Sequence, residues 1–360
     1  MAAVQDNLTA VLYGINDMRL EQRPIPEPND IQVLLRMEVV GICGSDVHYL
    51  THGKIGPFVV EKPMVIGHEA AGTVVKCGKD VKHLQPGDRV AIEPGCPCRM
   101  CDFCKTGKYN LCPDMKFCAT PPYDGNLCRF YVHDADFCFK LPCNMDFEEG
   151  TLIEPLAVGV HACKRASVKI GDLCVVFGSG PIGLVTMMSA KAMGAGKVLV
   201  TDVLDVKLEK AKQLGADYIL KVDPSWNDEK TAKEIQSILR GAEPDSCFDC
   251  TGGEIIVRTA LQITKAGGVV VVIGMGAEFD MKLPLANSVM KEVDLRGIFR
   301  YANDYPTAIE MVRSRRVNVK PLITHHFTLE DAIKAFETHI KKEGDPIKIM
   351  IHTNPNWKPT

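Results

Sequence analysis

The chain has 360 residues, 46% hydrophobic and 24% charged, an ordinary globular composition long enough for two domains. Its 42 basic and 45 acidic residues leave a formal charge of −3, with no nucleic-acid or membrane footprint, which favours a neutral small molecule over a polyanion as substrate. No apolar run reaches the ~18 residues of a membrane span and the N-terminus lacks a secretory pattern, so a soluble, cytoplasmic protein is expected.

From about 10 to 160 the sequence reads as short strands between Gly/Pro turns, among them QVLLRMEVVG, AAGTVVKCG and DRVAIEPG. That pattern predicts an irregular, mostly β domain. Within it, GICGSDVHYL places Cys43, Ser45, Asp46 and His48 close together, and GHEAAG follows with His68 and Glu69. By spacing alone, a buried thiol and a structural histidine explain Cys43 and His68 better than a metal site does. Cys43, His68 and an acid could nonetheless hold a zinc with one position open, which is what catalysis requires. Glu154, in the apolar run LIEPLAVGVHA, adds to this reading, because a buried carboxylate needs a partner.

Fifteen cysteines is a high count for a reducing compartment, where clustered thiols more often bind metal than pair. Cys98, Cys101, Cys104 and Cys112 have the spacing C-x2-C-x2-C-x7-C, which can close a tetrahedron around a structural zinc. Iron–sulfur spacings differ from this one, and no basic recognition helix accompanies the loop as in a nucleic-acid module. Cys96 has no evident place in the quartet.

From about 165 the rhythm changes to strands alternating with helices. LCVVFG, PIGLVTMMSAKAMG, KVLVTD, LDVKLEKAKQLG, DYILKV, TAKEIQSILRG, CFDCTG, IIVRTALQITKAG and VVVVIG predict βαβ units and a parallel sheet. Gly178, Gly180 and Gly183 form G-x-G-x-x-G after a predicted strand and at the start of a predicted helix, the fingerprint of a dinucleotide site. Asp202, 19 residues past Gly183, ends the next strand, where a carboxylate bonds the ribose 2′-OH and favours NAD over NADP. Lys207 slightly offsets that preference. Beyond about 295 come two helix-like stretches, 304–314 and 329–342, and a final strand, PIKIMIH. If this tail returns to the front domain, the middle domain is an insertion with a cleft beside it.

In this order, GICGSDVHY, GHEAAG, the four-cysteine lobe, EPLAVGVHA and GSGPIG resemble the zinc-dependent medium-chain dehydrogenase/reductase family over essentially the whole chain. FCATPPYDGNLCRFYVH, IFRYANDYP and VNVKPLITHHF are similar to its sorbitol (polyol) dehydrogenase branch. The resemblance implies an α/β protein with a mostly β GroES-like catalytic zinc-binding domain (1–158 and 297–360). Into it a doubly wound Rossmann domain that binds NAD (159–296) is inserted. It implies Cys43, His68 and Glu69 as catalytic zinc ligands, Asp46 orienting the histidine, and Ser45 and His48 passing the alcohol proton towards solvent. Tyr49, Glu154, Arg300 and Tyr301 match substrate contacts, with Glu154 close enough to approach the zinc. Ile182, Asp202, Lys207, Ile273, Gly274, Met275, Ile298, Phe299 and Arg300 match cofactor contacts. Some animal members lack the complete cysteine lobe, so the structural zinc rests on the cysteines of this chain. The implied reaction moves a hydride between a polyol, such as sorbitol or xylitol, and NAD, giving a ketose such as fructose, in a homotetramer. The alternatives are an arabitol or threonine type of dehydrogenase and, outside the enzymes, a cofactor-binding protein without activity.

Overall fold

The computed structural model describes residues 6–276, 280–355 and 357. The chain forms two compact units, Met1–Glu154 with Asn318–Thr360, and Pro155–Val317. Among the described residues no helix is long and apolar enough to cross a membrane.

The first unit is built on a seven-stranded sheet. Its order runs Cys138–Lys140, Arg89–Ile92, Glu69–Cys77, Gln32–Gly41, Lys348–His352, Ile323–Thr328, with Phe130–Asp134 also paired to Gln32–Gly41. Gln32–Gly41 is central, and its sequence QVLLRMEVVG leaves only Arg36 exposed, as a strand covered on both faces requires. The C-terminal tail does return to this unit. Ile323–Thr328, the helix Ala332–Lys341 and Lys348–His352 make a βαβ crossover between parallel neighbours. The helix inserts Ala332, Ala335 and Phe336 into the core beside Leu35, Val40 and Ile351.

The second unit is a six-stranded, wholly parallel sheet in the order Tyr218–Lys221, Lys197–Asp202, Leu173–Phe177, Ser246–Asp249, Val269–Val272, Asp294–Gly297. Numbered along the chain this is 3-2-1-4-5-6, the doubly wound order in which ligands bind at the C-terminal ends of the first and fourth strands. The alternation read from sequence is found element by element: Pro181–Ala192, Asp205–Gln213, Asp228–Ile238 and Glu254–Ile263 are the intervening helices. Val257, Ala260, Leu261 and Ile263 of the last of these pack on Val175, Phe177 and Val270 of the sheet.

The second unit extends further than the expected boundary at 296/297. The helix Tyr305–Arg313 stays with it, because the buried Asp304 before that helix takes His161 Nδ1 (2.8 Å) and Lys164 Nζ (2.6 Å) from Ile153–Ala166. Cutting at 297 would leave a fully buried carboxylate without its partners His161 and Lys164. The helix Gly44–His52, which the sequence pattern does not announce, is too short and too polar to show an apolar period.

Phe336→Ala removes the largest side chain that the tail contributes to the front core. The expected loss is about 3–5 kcal/mol for the first unit, read as a lower urea midpoint with the cofactor-free protein.

Candidate active site and metal centres

Cys43 follows the central strand and is the N-cap of Gly44–His52, in extended conformation (φ −99°, ψ 151°). Asp46, one turn on, reaches back and accepts from the Cys43 backbone N–H at 3.2 Å, which fixes the entry into the helix. Its other oxygen accepts from the Gly67 N–H (3.1 Å) and faces His68 Nδ1 at 3.3 Å. Burial pushes the Asp46 carboxyl up, but His68 and the two backbone N–H groups outweigh it and hold it below the usual carboxylate range. With one ring nitrogen of His68 engaged by Asp46, the other is left for a metal, an arrangement that fixes tautomer and ring plane.

The Cys43 sulfur, a His68 ring nitrogen and a Glu69 carboxylate oxygen all lie within 4.8 Å of one another. Thiolate, imidazole and carboxylate are a zinc donor set, and three protein ligands leave a tetrahedral ion one free position. The electrostatics agree. Burial alone pushes the His68 imidazole down, yet Asp46 and Cys43 hold it well above its ordinary value. The pocket favours positive charge between these groups, which a divalent ion would supply in place of the proton. The residues present therefore fit a zinc ion.

A cation already stands behind Glu69. The register Gly41↔Glu69 and Met350↔Gly41 sets three strands side by side. Lys348 Nζ thereby donates to both Glu69 oxygens, at 2.5 Å to Oε2, and to the Ile42 carbonyl at 3.4 Å. Glu69 and Lys348 are only 1% and 3% exposed. Burial pushes the ammonium down, but Glu69, Cys43 and Glu154 outweigh it and raise it. Gly41 makes the crossing possible, since a Cβ there would stand 2.6 Å from Glu69 Oε2. The sequence reading missed Lys348. Its signal was a lysine inside PIKIMIH, a run otherwise read as buried strand, where an ammonium needs a carboxylate.

Ser45 and His48 lie three residues apart on the same helix, hence on one face. Exposure rises along this face, from half-buried Cys43 and Ser45 to exposed His48. His48 stacks on His52 with ring centroids 4.3 Å apart. Partial burial, and then the His52 charge, lower its imidazole, which stays neutral and able to accept a proton near neutral pH. Tyr49 is buried in the next position of this helix, and Glu154 is buried in the first turn of Ile153–Ala166. Glu154 is not one of the three grouped donors.

The four cysteines also converge, with all four sulfurs within 4.8 Å of one another. The Sγ–Sγ separations are 3.4 Å for Cys101–Cys104 and 3.9 Å for Cys98–Cys104. A zinc tetrahedron with bonds of about 2.3 Å has edges of roughly 3.8 Å, so this quartet fits the ion. The Met100 and Cys101 N–H groups point at Cys98 Sγ (3.4 and 3.3 Å) and bring its thiol down to about 7. Burial pushes Cys104 up to about 12. Arg99 ties the lobe to the sheet through Asp134 (2.8 Å) and Asp136 (2.7 Å). Cys96 turns away from the quartet, its sulfur 3.6 Å from His133 Nε2.

In the second unit, Gly178 follows the strand Leu173–Phe177 with φ +91°, and Gly180 is the N-cap of a helix that opens with Pro181. A Cβ on Gly183 would lie 1.8 Å from the Gly178 carbonyl oxygen, so only glycine lets this helix approach its strand. Gly180 makes no side-chain cap, and a helix N-terminus of this kind presents backbone N–H groups to a pyrophosphate. Asp202 is held at its strand end by the Ser179 N–H (2.8 Å), the Ser179 hydroxyl (3.0 Å) and the Leu204 N–H (3.1 Å). Ile182 is partly buried, as is Lys207 in the helix Asp205–Gln213. Ile273 and Gly274 donate their N–H groups to the Asp249 carbonyl (2.9 and 3.0 Å), and Met275 is exposed. Asp249 is a second residue the sequence reading missed; fully buried, its carboxylate collects the Thr251 and Gly252 N–H groups (2.8 and 3.0 Å) and shapes the turn facing Gly274. Ile298 bonds to Val272 (3.2 Å), the Arg300 guanidinium lies 4.7 Å from the exposed Phe299 ring, and Tyr301 is buried 5.6 Å from Tyr305. Arg300 and Tyr301 belong to this unit, whereas Cys43, His68, Glu69 and Glu154 belong to the other.

A metal-binding β unit joined to a doubly wound dinucleotide unit defines the metal-dependent dehydrogenases as a class. Family comparison agrees: residues 29–143 match the alcohol dehydrogenase GroES-like domain and residues 181–314 match the zinc-binding dehydrogenase. The chain is 55% identical to the sorbitol dehydrogenase of Bos taurus over 355 residues, 99% of this chain and 98% of that protein. It is 53% identical to that of Homo sapiens, with the same coverage. An Escherichia coli oxidoreductase of unknown specificity superposes with a TM-score of 0.90 at 39% identity, over 97% of this chain and 99% of that one. The 2R,3R-butanediol dehydrogenase of Bacillus subtilis gives 0.87 at 31% identity, over 97% and 100%. The chain belongs to the zinc-dependent medium-chain dehydrogenase/reductase family.

Lys348→Met leaves Glu69 buried with no cation when the metal is absent. In chelated protein the expected cost is about 3–5 kcal/mol, and Lys348→Arg should recover most of it; equilibrium unfolding of the three proteins measures both.

Proposed function

We propose that the protein is a zinc- and NAD-dependent polyol 2-dehydrogenase that converts a sugar alcohol such as sorbitol or xylitol to its ketose. The observation that carries this reading is the convergence of Cys43, His68 and Glu69 beside the buried Lys348 and Glu154. The sorbitol dehydrogenases that match over nearly the whole chain supply the substrate class. In this reading the first unit, Met1–Glu154 with Asn318–Thr360, holds the metal and the second, Pro155–Val317, holds NAD. The protein works in the cytoplasm as a homotetramer.

Zinc supplies a Lewis acid that lowers the pKa of a substrate hydroxyl, and NAD supplies the hydride acceptor. Cys43, His68 and Glu69 hold the metal, and Asp46 keeps the His68 ring in place through Nδ1. The hydroxyl proton passes to Ser45 and then to His48, whose lowered pKa keeps it a base near neutrality. Glu154 and Tyr49 contact the substrate near the metal, and Arg300 and Tyr301 bond its remaining hydroxyls. Asp202, already oriented by Ser179, accepts from the ribose 2′-OH and repels a 2′-phosphate. Gly178, Gly180, Ile182 and Gly183 cradle the pyrophosphate, with Lys207, Ile273 to Met275 and Ile298 to Arg300 completing the cofactor contacts. Cys98, Cys101, Cys104 and Cys112 hold a second zinc that shapes the lobe.

A panel of hexitols and pentitols, assayed with NAD and with NADP, tests the activity. Oxidation of at least one polyol with a large preference for NAD is expected; turnover of threonine or ethanol alone, or equal use of NADP, refutes the assignment. Cys43→Ala should lose one zinc per chain and all measurable activity while the cysteine lobe keeps its metal. Metal analysis showing both zincs retained in that variant removes Cys43 from the site.

A further inference from the structure

A third group of metal-ligating side chains lies in the first unit and takes no part in the proposed reaction. Glu148 stands in the first turn of the short helix Phe147–Thr151, whose N-cap is Asp146. His326 and His352 come from the parallel strands Ile323–Thr328 and Lys348–His352. Their register pairs His326 with Met350 and Thr328 with His352, so the two histidines are diagonal neighbours on one face.

Three atoms converge. His326 Nδ1 is 3.3 Å from Glu148 Oε1, His352 Nε2 is 3.4 Å from that same oxygen, and the two nitrogens are 3.1 Å apart. Hydrogen bonds alone serve this triangle poorly. If both nitrogens carry protons towards Glu148, two N–H groups crowd each other across 3.1 Å; if one does, one edge has no proton. An ion above the triangle satisfies all three lone pairs at once. Tetrahedral ligand bonds of about 2.0–2.1 Å give edges of roughly 3.3–3.4 Å, close to the three observed.

The surroundings complete a site. Trp357 lies flat on His352, ring centroids 3.7 Å apart and planes at 7°, and also stacks towards His326 at 6.0 Å. This indole shields one side and holds the buried His352 ring. His326 is exposed and Glu148 partly so, which leaves an approach from solvent. The nearby ammonium of Lys320 is paired with Asp146 and does not occupy the position between the histidines and Glu148.

We propose that Glu148, His326 and His352 form a third divalent metal site, of the class that imidazole and carboxylate select (zinc, nickel, cobalt or copper), with its remaining position open to solvent. The ion joins the helix Phe147–Thr151 to the two C-terminal strands. This site stands on its own geometry and does not depend on the proposed activity.

Trp357 provides the test, because the chain contains only one other tryptophan, Trp226 in the second unit. In a Trp226→Phe background with both zinc centres filled, titration with nickel(II) should quench the fluorescence saturably. His326→Ala, and independently Glu148→Gln, should abolish the saturable phase while polyol turnover is retained. Equilibrium dialysis against zinc should give three ions per chain for the parent and two for either variant. Quenching that is absent, or that survives in both variants, overturns the site, as does an equal zinc count in parent and variants.

Discussion

The buried pair between Glu69 and Lys348 is the constraint on which the rest of the catalytic unit depends. Cys43, His68 and Glu69 bring their donor atoms within 4.8 Å of one another with Asp46 against His68, and burying carboxylates here without cations would be prohibitive. The fold answers with one ammonium from Lys348 and leaves room between Cys43, His68 and Glu69 for a metal's charge. The same requirement explains the glycine at 41, the order of three strands and the return of the tail to the front sheet.

The second unit solves a different problem with backbone in place of charge. Gly178 and Gly183 let a helix stand close against its strand. Asp202 is aimed by three donors before any ribose arrives, so the cost of orienting it is met in folding. Asp249 does the equivalent for the turn opposite Gly274.

Much of this was legible in the sequence, for identifiable reasons. The parallel sheet announces itself because βαβ units alternate with a period set by strand and helix length, and G-x-G-x-x-G is a local motif. The cysteine quartet is local too. Cys43, His68 and Glu69 were legible only with the help of resemblance, because 26 residues separate the first from the last and no period links them. The lysine in PIKIMIH was visible, but its partner Glu69 was beyond reach of any local rule: it is 279 residues away and strand register alone brings them together. The Glu148, His326 and His352 group was hidden for the same reason, although HH in PLITHHF is visible to the eye. The second boundary slipped because a fading alternation gives no sign of the buried Asp304, which keeps the helix Tyr305–Arg313 with the middle unit.

The separation of Glu69 from Lys348 also sets a clock on synthesis. At about 5–20 residues per second, the ribosome takes roughly 15–55 s to travel between these two codons. During that interval Cys43, Asp46, His68 and Glu69 have all been made, but the strand that neutralises and walls their pocket has not. Until that strand arrives, Glu69 lacks the ammonium that pairs with both of its oxygens. Closure of the metal centre thus waits for the strand Lys348–His352 to dock beside Gln32–Gly41.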